Sequence, residues 1–140
     1  MSFIEPSPDQ LQQLVASAGD GQPVVMINLL RFRDRAEYSP GSDAEPCSGQ
    51  EAYQRYGMHV LPMLAEAGGK ILWMGNAKQT VIGPEGESWD EAILVQYPSR
   101  AAFISMVTRP DYLKISVHRT AALADSRLIA TVTGTTELPS

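Results

Sequence analysis

Along this 140-residue chain the spacing of hydrophobic and polar positions changes period several times, and each change marks an element. Pro23 to Phe32, PVVMINLLRF, is apolar on both faces except at Asn28, which is the pattern of a strand buried on both sides. Alternation places Met26, Asn28 and Leu30 on one face and Val25, Ile27 and Leu29 on the other. From Ser48 to Gly69 the period lengthens to that of a helix, with Tyr53, Tyr56, Val60, Met63, Leu64 and Ala67 in one stripe. Ser48 and Glu51 form a capping box at its start, and Gly68-Gly69 is a stop signal. Pro62 removes one backbone hydrogen bond inside it and predicts a kink. Lys70 to Gly83 and Trp89 to Tyr97 read as two strands of a hairpin around Pro84-Glu85-Gly86, with Gly75 marking a bulge. Pro98-Ser99 then opens a helix bearing Ala102, Phe103, Met106 and Val107, which Arg109-Pro110-Asp111 interrupts and restarts. In the second half Tyr112, Ile115, Arg119, Ala122 and Leu123 share a narrow arc, and Ser126 to Thr133 is a last strand.

In front of these elements, Ser7-Pro8-Asp9-Gln10 is a helix start. Leu11, Leu14, Val15 and Ala18 follow at helical spacing before Gly19-Asp20-Gly21 ends the element. Arg33 to Gly49 is polar, without period, and rich in Pro, Gly, Ser and Asp. It predicts a long mobile loop, either a binding loop or lid or a tolerated surface insertion. The order is therefore β-α-β-β-α-β behind an extra N-terminal helix, an α+β, ferredoxin-like arrangement with a four-stranded antiparallel sheet. The expected organisation is a helical extension over residues 1–22 and a single domain over 23–140. Right-handed crossovers are expected to put the first and last strands in the middle. Helices can cover only one face of such a sheet, yet the other face is also apolar. A homodimer through that open face, by a two-fold contact, is the expected consequence.

Composition narrows the function classes. The hydrophobic fraction of 44% suits one packed core, and the net charge of -5 with no Lys/Arg-rich run argues against nucleic acid and anionic membranes. The single cysteine, Cys47, permits no internal disulfide and fits a reducing compartment. MSFIEPSPDQ lacks the basic start and apolar core of a signal peptide, and no apolar run approaches the ~20 residues that span a bilayer. The expectation is a soluble, cytoplasmic protein. No metal-ligand spacing, phosphate loop or nucleophile elbow is present, so neither metal nor cofactor is implied. Cys47, in the loop without a neighbouring base, reads as a free loop thiol.

Seven residues carry the possible chemistry. Asn28 is a polar group in a buried strand and needs either a backbone partner or a ligand. Arg119 stands among apolar arc positions and needs an anion. That anion is either Asp125, Asp111 or Glu91, or an anionic ligand. His118, at the rim of the same arc, and His59, one step from the tyrosine stripe, are the weak candidates for proton transfer, or else simply solvated. Tyr53, Tyr56 and Trp73 are core aromatics or, with Asn28 and Arg119, the walls of a pocket for a flat apolar ligand.

The pattern Tyr53, Tyr56, Pro62, Gly68, Gly69, the tryptophan Trp89 opening the third strand, Tyr97 to Phe103, Pro110 to Tyr112 and the helix arginine Arg119 together resemble the domain of unknown function 1330 family over about Pro23 to Gly134. The Arg33–Gly49 loop and the N-terminal helix depart from that family's usual pattern. The resemblance implies membership of the dimeric α/β-barrel superfamily, in which two ferredoxin-like sheets face each other. Relatives there include cofactor-independent monooxygenases, haem-degrading enzymes and muconolactone isomerases, with the ligand between sheet and helices. With the candidate pocket residues, it gives the expectation of a small-molecule-binding protein that, as an enzyme, would be cofactor-independent and monooxygenase- or isomerase-like on a small aromatic or apolar acid. The alternative is a non-catalytic structural or regulatory dimer.

Overall fold

The computed structural model describes residues 2–133. The front helix α1 spans Pro8–Ser17, and Ser7 and Gln10 close the capping box that the sequence predicts. Strand β1 is Val24–Phe32, helix α2 Gly49–Glu66, and strands β2 and β3 are Lys70–Asn76 and Glu91–Tyr97. Helices α3 (Arg100–Val107) and α4 (Pro110–Ala122) lead into β4, Leu123–Thr131. Ser48 accepts from the Glu51 amide while Glu51 bonds back to the Ser48 amide, and α2 is continuous through Pro62.

The four strands form one antiparallel sheet in the order β2-β3-β1-β4. This corrects the expected placement: β1 and β3 are central, and the last strand lies on an edge. The crossover through α2 leaves a slot between β1 and β2, and β3 folds back from β2 to fill it. The free edge of β1 then receives β4. Two local expectations also change. Strand β2 stops at Asn76 rather than Gly83, and residues 77–90 form the connection to β3. The irregularity in β2 falls between Ile71 and Trp73, not at Gly75. Gly75 has a different reason: a Cβ there would come 2.6 Å from Cζ2 of the Trp73 indole.

Burial follows the alternation read from the sequence. Val24, Met26 and Leu30 of β1 and Ile93 and Tyr97 of β3 are buried beneath α2, α3 and α4. They belong to two clusters. One joins Leu30, Cys47, Ala52, Ile93, Ala122 and Leu123; the other joins Val24, Met26, Leu64, Tyr97 and Met106. Asn28, between Met26 and Leu30 on the same face, is half-buried and belongs to neither cluster.

The segment between β1 and α2 has no regular secondary structure but is tied down along its length. Ala36 donates to the Cys47 carbonyl, Glu37 to Ala121, and Gly49 to Arg33. Cys47 is a free thiol in this segment, but a buried one: the residue is 5% exposed and packs in the first cluster. The opposite sheet face carries no helix. Register places Ile27, Leu94 and Ile129 side by side there, together with Trp73, which pairs with Leu94.

Candidate functional site

A cleft of about 1370 Å³ opens between the helix-bearing face of the sheet and α2, α3 and α4, with α1 along its rim. Its floor is the strand face where the core divides, at Met26, Asn28 and Ile93. Tyr53 and Tyr56 enter from α2, and Tyr112 and Arg119 from α4, because the stripes of the two helices converge above β1. Four of the five predicted ligand-binding residues, Asn28, Tyr53, Tyr56 and Arg119, are thus brought together. Trp73 is not. Its side chain stands with Leu94 and Ile27 on the face away from the helices, because the shift at Leu72 sets the alternation of β2.

The polar groups of the cleft are few and specific. Nη1 of Arg119 donates to the Ile4 carbonyl at 2.7 Å, and the guanidinium lies near enough to Tyr53 to favour its ionised form. Among the described residues Arg119 makes no ion pair. Of its three expected partners, Asp125 pairs with Arg127 at 2.8 Å and Asp111 with Arg109 at 2.7 Å. The third, Glu91, lies in the cleft but receives no hydrogen bond or ion pair among the described residues. Burial pushes the Tyr53 phenol up to about 12, against the opposing pull of Arg119. Burial and the nearby Tyr112 push Tyr56 up as well. Both hydroxyls are neutral donors at ordinary pH; that of Tyr56 is bonded to the Tyr112 hydroxyl at 2.9 Å. Asn28 donates to the Met26 and Ile93 carbonyls at 3.4 Å, long contacts, and its amide oxygen meets no donor among the described residues. So Asn28 is weakly bound to backbone, whereas Arg119 has no carboxylate.

His118 and His59 come together, but outside this cleft. Their rings stack at 6.0 Å on the outer side of α4 and α2. Nδ1 of His118 lies 2.7 Å from the Tyr38 hydroxyl, which also accepts from Arg55. Neither histidine lines the cleft, so a role for them in moving a proton there is not what the geometry offers. Burial, then the neighbouring His59 and Arg55, hold the His118 pKa below its usual value. A base with a depressed folded pKa contributes fully above its unfolded value of about 6.5, and that contribution is lost as pH falls through the lower folded value. Melting temperature is therefore expected to fall from about pH 7.5 to about pH 5.5, and His118→Gln should flatten that slope. An unchanged slope in the variant would remove the assignment.

Sequence reading weighed Glu91 only as an ion-pair partner and overlooked the segment Phe3 to Glu5. The signal for Glu91 was present: period two in EAILVQY puts it on the face of Ile93, Val95 and Tyr97. No signal foretold the N-terminal segment. Phe3 donates to Asp125 at 2.9 Å and accepts from Ser126 at 2.6 Å, contacts more than 120 residues apart in sequence. Arg127 lies between the Phe3 and Trp89 rings, about 5 Å from each centroid, and locks the segment against the 77–90 connection. Among the described residues no group of three or more His, Cys, Asp or Glu is placed to hold a metal ion. None of the described helices is long and apolar enough to cross a membrane.

Fold and cleft together define a ferredoxin-like α+β protein with an apolar cleft under its helices and an open sheet face behind. The chain belongs to the family described as Domain of unknown function (DUF1330), whose model matches residues 47–133. It is similar to the RPA0582 protein of unknown function from Rhodopseudomonas palustris, at 37% identity and a TM-score of 0.88, over 97% of this chain and all of that one. The methylated form of RPA0582 matches at 39% identity and TM-score 0.86, over 94% of this chain and 95% of that one. More remotely, the chain shares its fold with the hydroxynitrile lyase of Passiflora edulis (12% identity, TM-score 0.52, 84% of this chain and 99% of that one). None of the curated proteins matches the chain.

Proposed function

We propose that the protein binds a small molecule with a flat, apolar body and an anionic or carbonyl oxygen handle in the cleft beneath α2 and α4. The observation that carries this reading is the Arg119 guanidinium, which has no carboxylate partner among the described residues and stands between apolar walls and tyrosine side chains. A buried or half-buried cation is strongly unfavourable unless an anion meets it, and one backbone carbonyl is a partial answer. Tyr53 lines the same cleft with its phenol neutral, so its hydroxyl can donate to the same handle. Asn28 supplies, on the floor, an amide oxygen that meets no donor among the described residues. Met26, Ile93, Val95 and Phe103 give apolar surface for the body of the ligand.

On this reading the protein acts as a homodimer through the open sheet face, where Ile27, Leu94, Ile129 and Trp73 present apolar surface that no helix covers. Its acidic charge gives no support to nucleic-acid partners, and none of the described helices is long and apolar enough to cross a membrane.

Thermal melting in the presence of aromatic carboxylates tests the cleft. Phenylpyruvate and naphthoate are expected to raise the melting temperature, because a ligand specific to the folded state stabilises it. Arg119→Ala should weaken that binding about 10- to 100-fold, the equivalent of losing a charged hydrogen bond worth ~1.5–3 kcal/mol, with the circular-dichroism spectrum unchanged. If neither compound shifts the melt, or if the shift survives Arg119→Ala intact, the reading fails.

A further inference from the structure

We infer that Glu91 is the proton-transfer group of this cleft, and that the protein catalyses proton abstraction next to the carbonyl of an enolisable substrate. The inference rests on the cleft being a ligand site, and adds a reaction to it. Glu91 opens β3 and is paired in register with Leu30 on one side and Asn76 on the other. That register places it on the helix-bearing face, in line with Ile93 and one diagonal step from Asn28. Its position is fixed by the residue before it. The Asp90 amide donates to the Leu30 carbonyl and the Asp90 carboxylate accepts from the Phe32 amide, each at 2.8 Å. The carboxylate so anchored lines the cleft and takes no hydrogen bond or ion pair from any described residue. Such a group is available to a ligand. Burial also raises its pKa, which makes it a better base once ionised.

The other half of the arrangement is Arg119 with Tyr53. Both line the cleft that Glu91 enters, and Glu91 and Arg119 form no ion pair with each other. One cleft thus holds an uncommitted carboxylate and, apart from it, a cation-phenol pair that can receive negative charge on oxygen. The step these groups fit is balanced without any added oxidant or reductant. The Glu91 carboxylate takes a proton from the carbon beside a carbonyl, and the C–H bond breaks. Its electron pair becomes the new carbon–carbon π bond, and the carbonyl π pair moves onto oxygen, where Arg119 and the Tyr53 hydrogen meet it. The Glu91 carboxylic acid then returns the proton, to the same carbon in exchange or to a different one in isomerisation. The histidine pair outside the cleft has no part in this.

The experiment follows the benzylic methylene protons of phenylpyruvate in deuterium oxide by proton NMR, with thermal melting run in parallel. Wild-type protein is expected to speed exchange by at least about 100-fold over buffer, the lower end of what a positioned base supplies. The rate should rise with pH as Glu91 ionises. Glu91→Gln should return exchange to the buffer rate while phenylpyruvate still raises the melting temperature. Glu91→Asp, which keeps the charge on a shorter arm, should retain part of the rate and guards against a folding defect in the first variant. If phenylpyruvate stabilises the protein but exchange equals the buffer rate or survives Glu91→Gln, the assignment of Glu91 is overturned and the binding reading stands. If phenylpyruvate neither stabilises nor exchanges, the assignment of Glu91 falls, and the binding reading falls with it when naphthoate gives no shift either.

Discussion

Gly49→Ala is expected to destabilise the protein by about 3 kcal/mol or more, a drop of roughly 10 °C in melting temperature for a chain of this length. Gly49 is the first residue of α2 and the point where three segments meet. Its amide donates to the Arg33 carbonyl at 3.0 Å, and the Arg33 amide donates to the Ala122 carbonyl at 2.8 Å. A methyl group at position 49 would collide with the Arg33 carbonyl and lie 2.6 Å from the Ala122 carbonyl and 2.7 Å from the Arg33 amide nitrogen. All three neighbours are backbone, so none can swing away as a side chain would. Relief requires parting the end of β1 from the α4–β4 junction, which breaks the two hydrogen bonds and opens the cluster around Leu30, Cys47 and Leu123. Gly57 supplies the control. It lies inside the same helix with nothing within 4 Å of an added Cβ. Gly57→Ala should therefore stabilise by ~0.5–1 kcal/mol through reduced chain entropy. Calorimetric melts of both variants check the pair; equal effects at the two positions would refute the packing argument.

Ile129→Glu is expected to convert the proposed dimer to monomer, with a dissociation constant at least ~100-fold weaker. Ile129 is directly opposite Ile27 on the uncovered face of the sheet. It is 51% exposed in the single chain, so a carboxylate there costs the monomer little. In a two-fold contact the same residue enters the interface from both subunits, so one substitution buries two unpaired charges of like sign. Sedimentation equilibrium decides the matter. A wild-type chain that sediments as a monomer removes the contact, and a dimer that survives Ile129→Glu moves it to another surface.

Much of the architecture was legible because it rests on local chemistry. The capping boxes at Ser7 and Ser48 form as read, since their partners stand three residues away. The tyrosine stripe of α2 and the arc of α4 face inward because helical spacing alone aligns them. What sequence reading misplaced depended on distant pairing. Which strand lies beside β1 is decided by the path of a crossover, and the expected central position of the last strand gave way to β3. Trp73 left the predicted pocket because a one-residue irregularity at Leu72 changes which alternate residues face the helices. His59 and His118 met, but on the outer side of their helices, since a rim position has two possible neighbours and periodicity does not choose between them.

The sequence by itself determined the order of elements, the apolar faces of β1 and α2, and the anomaly of an asparagine and an arginine at core-facing positions. These follow from periods of 2 and 3.6 residues and from the chemistry of single side chains. Only the tertiary structure decided that Asn28 marks a break between two core clusters, that a cleft opens there, and that Arg119 meets the Ile4 carbonyl and, among the described residues, no carboxylate. It alone engaged Asp125 with Arg127 and Asp111 with Arg109, away from Arg119, and left Glu91 in that cleft without an ion pair among the described residues. The physical reason is that a charge selects its partner by distance in space, and the distance from residue 119 to residue 4 exists only once the sheet has formed.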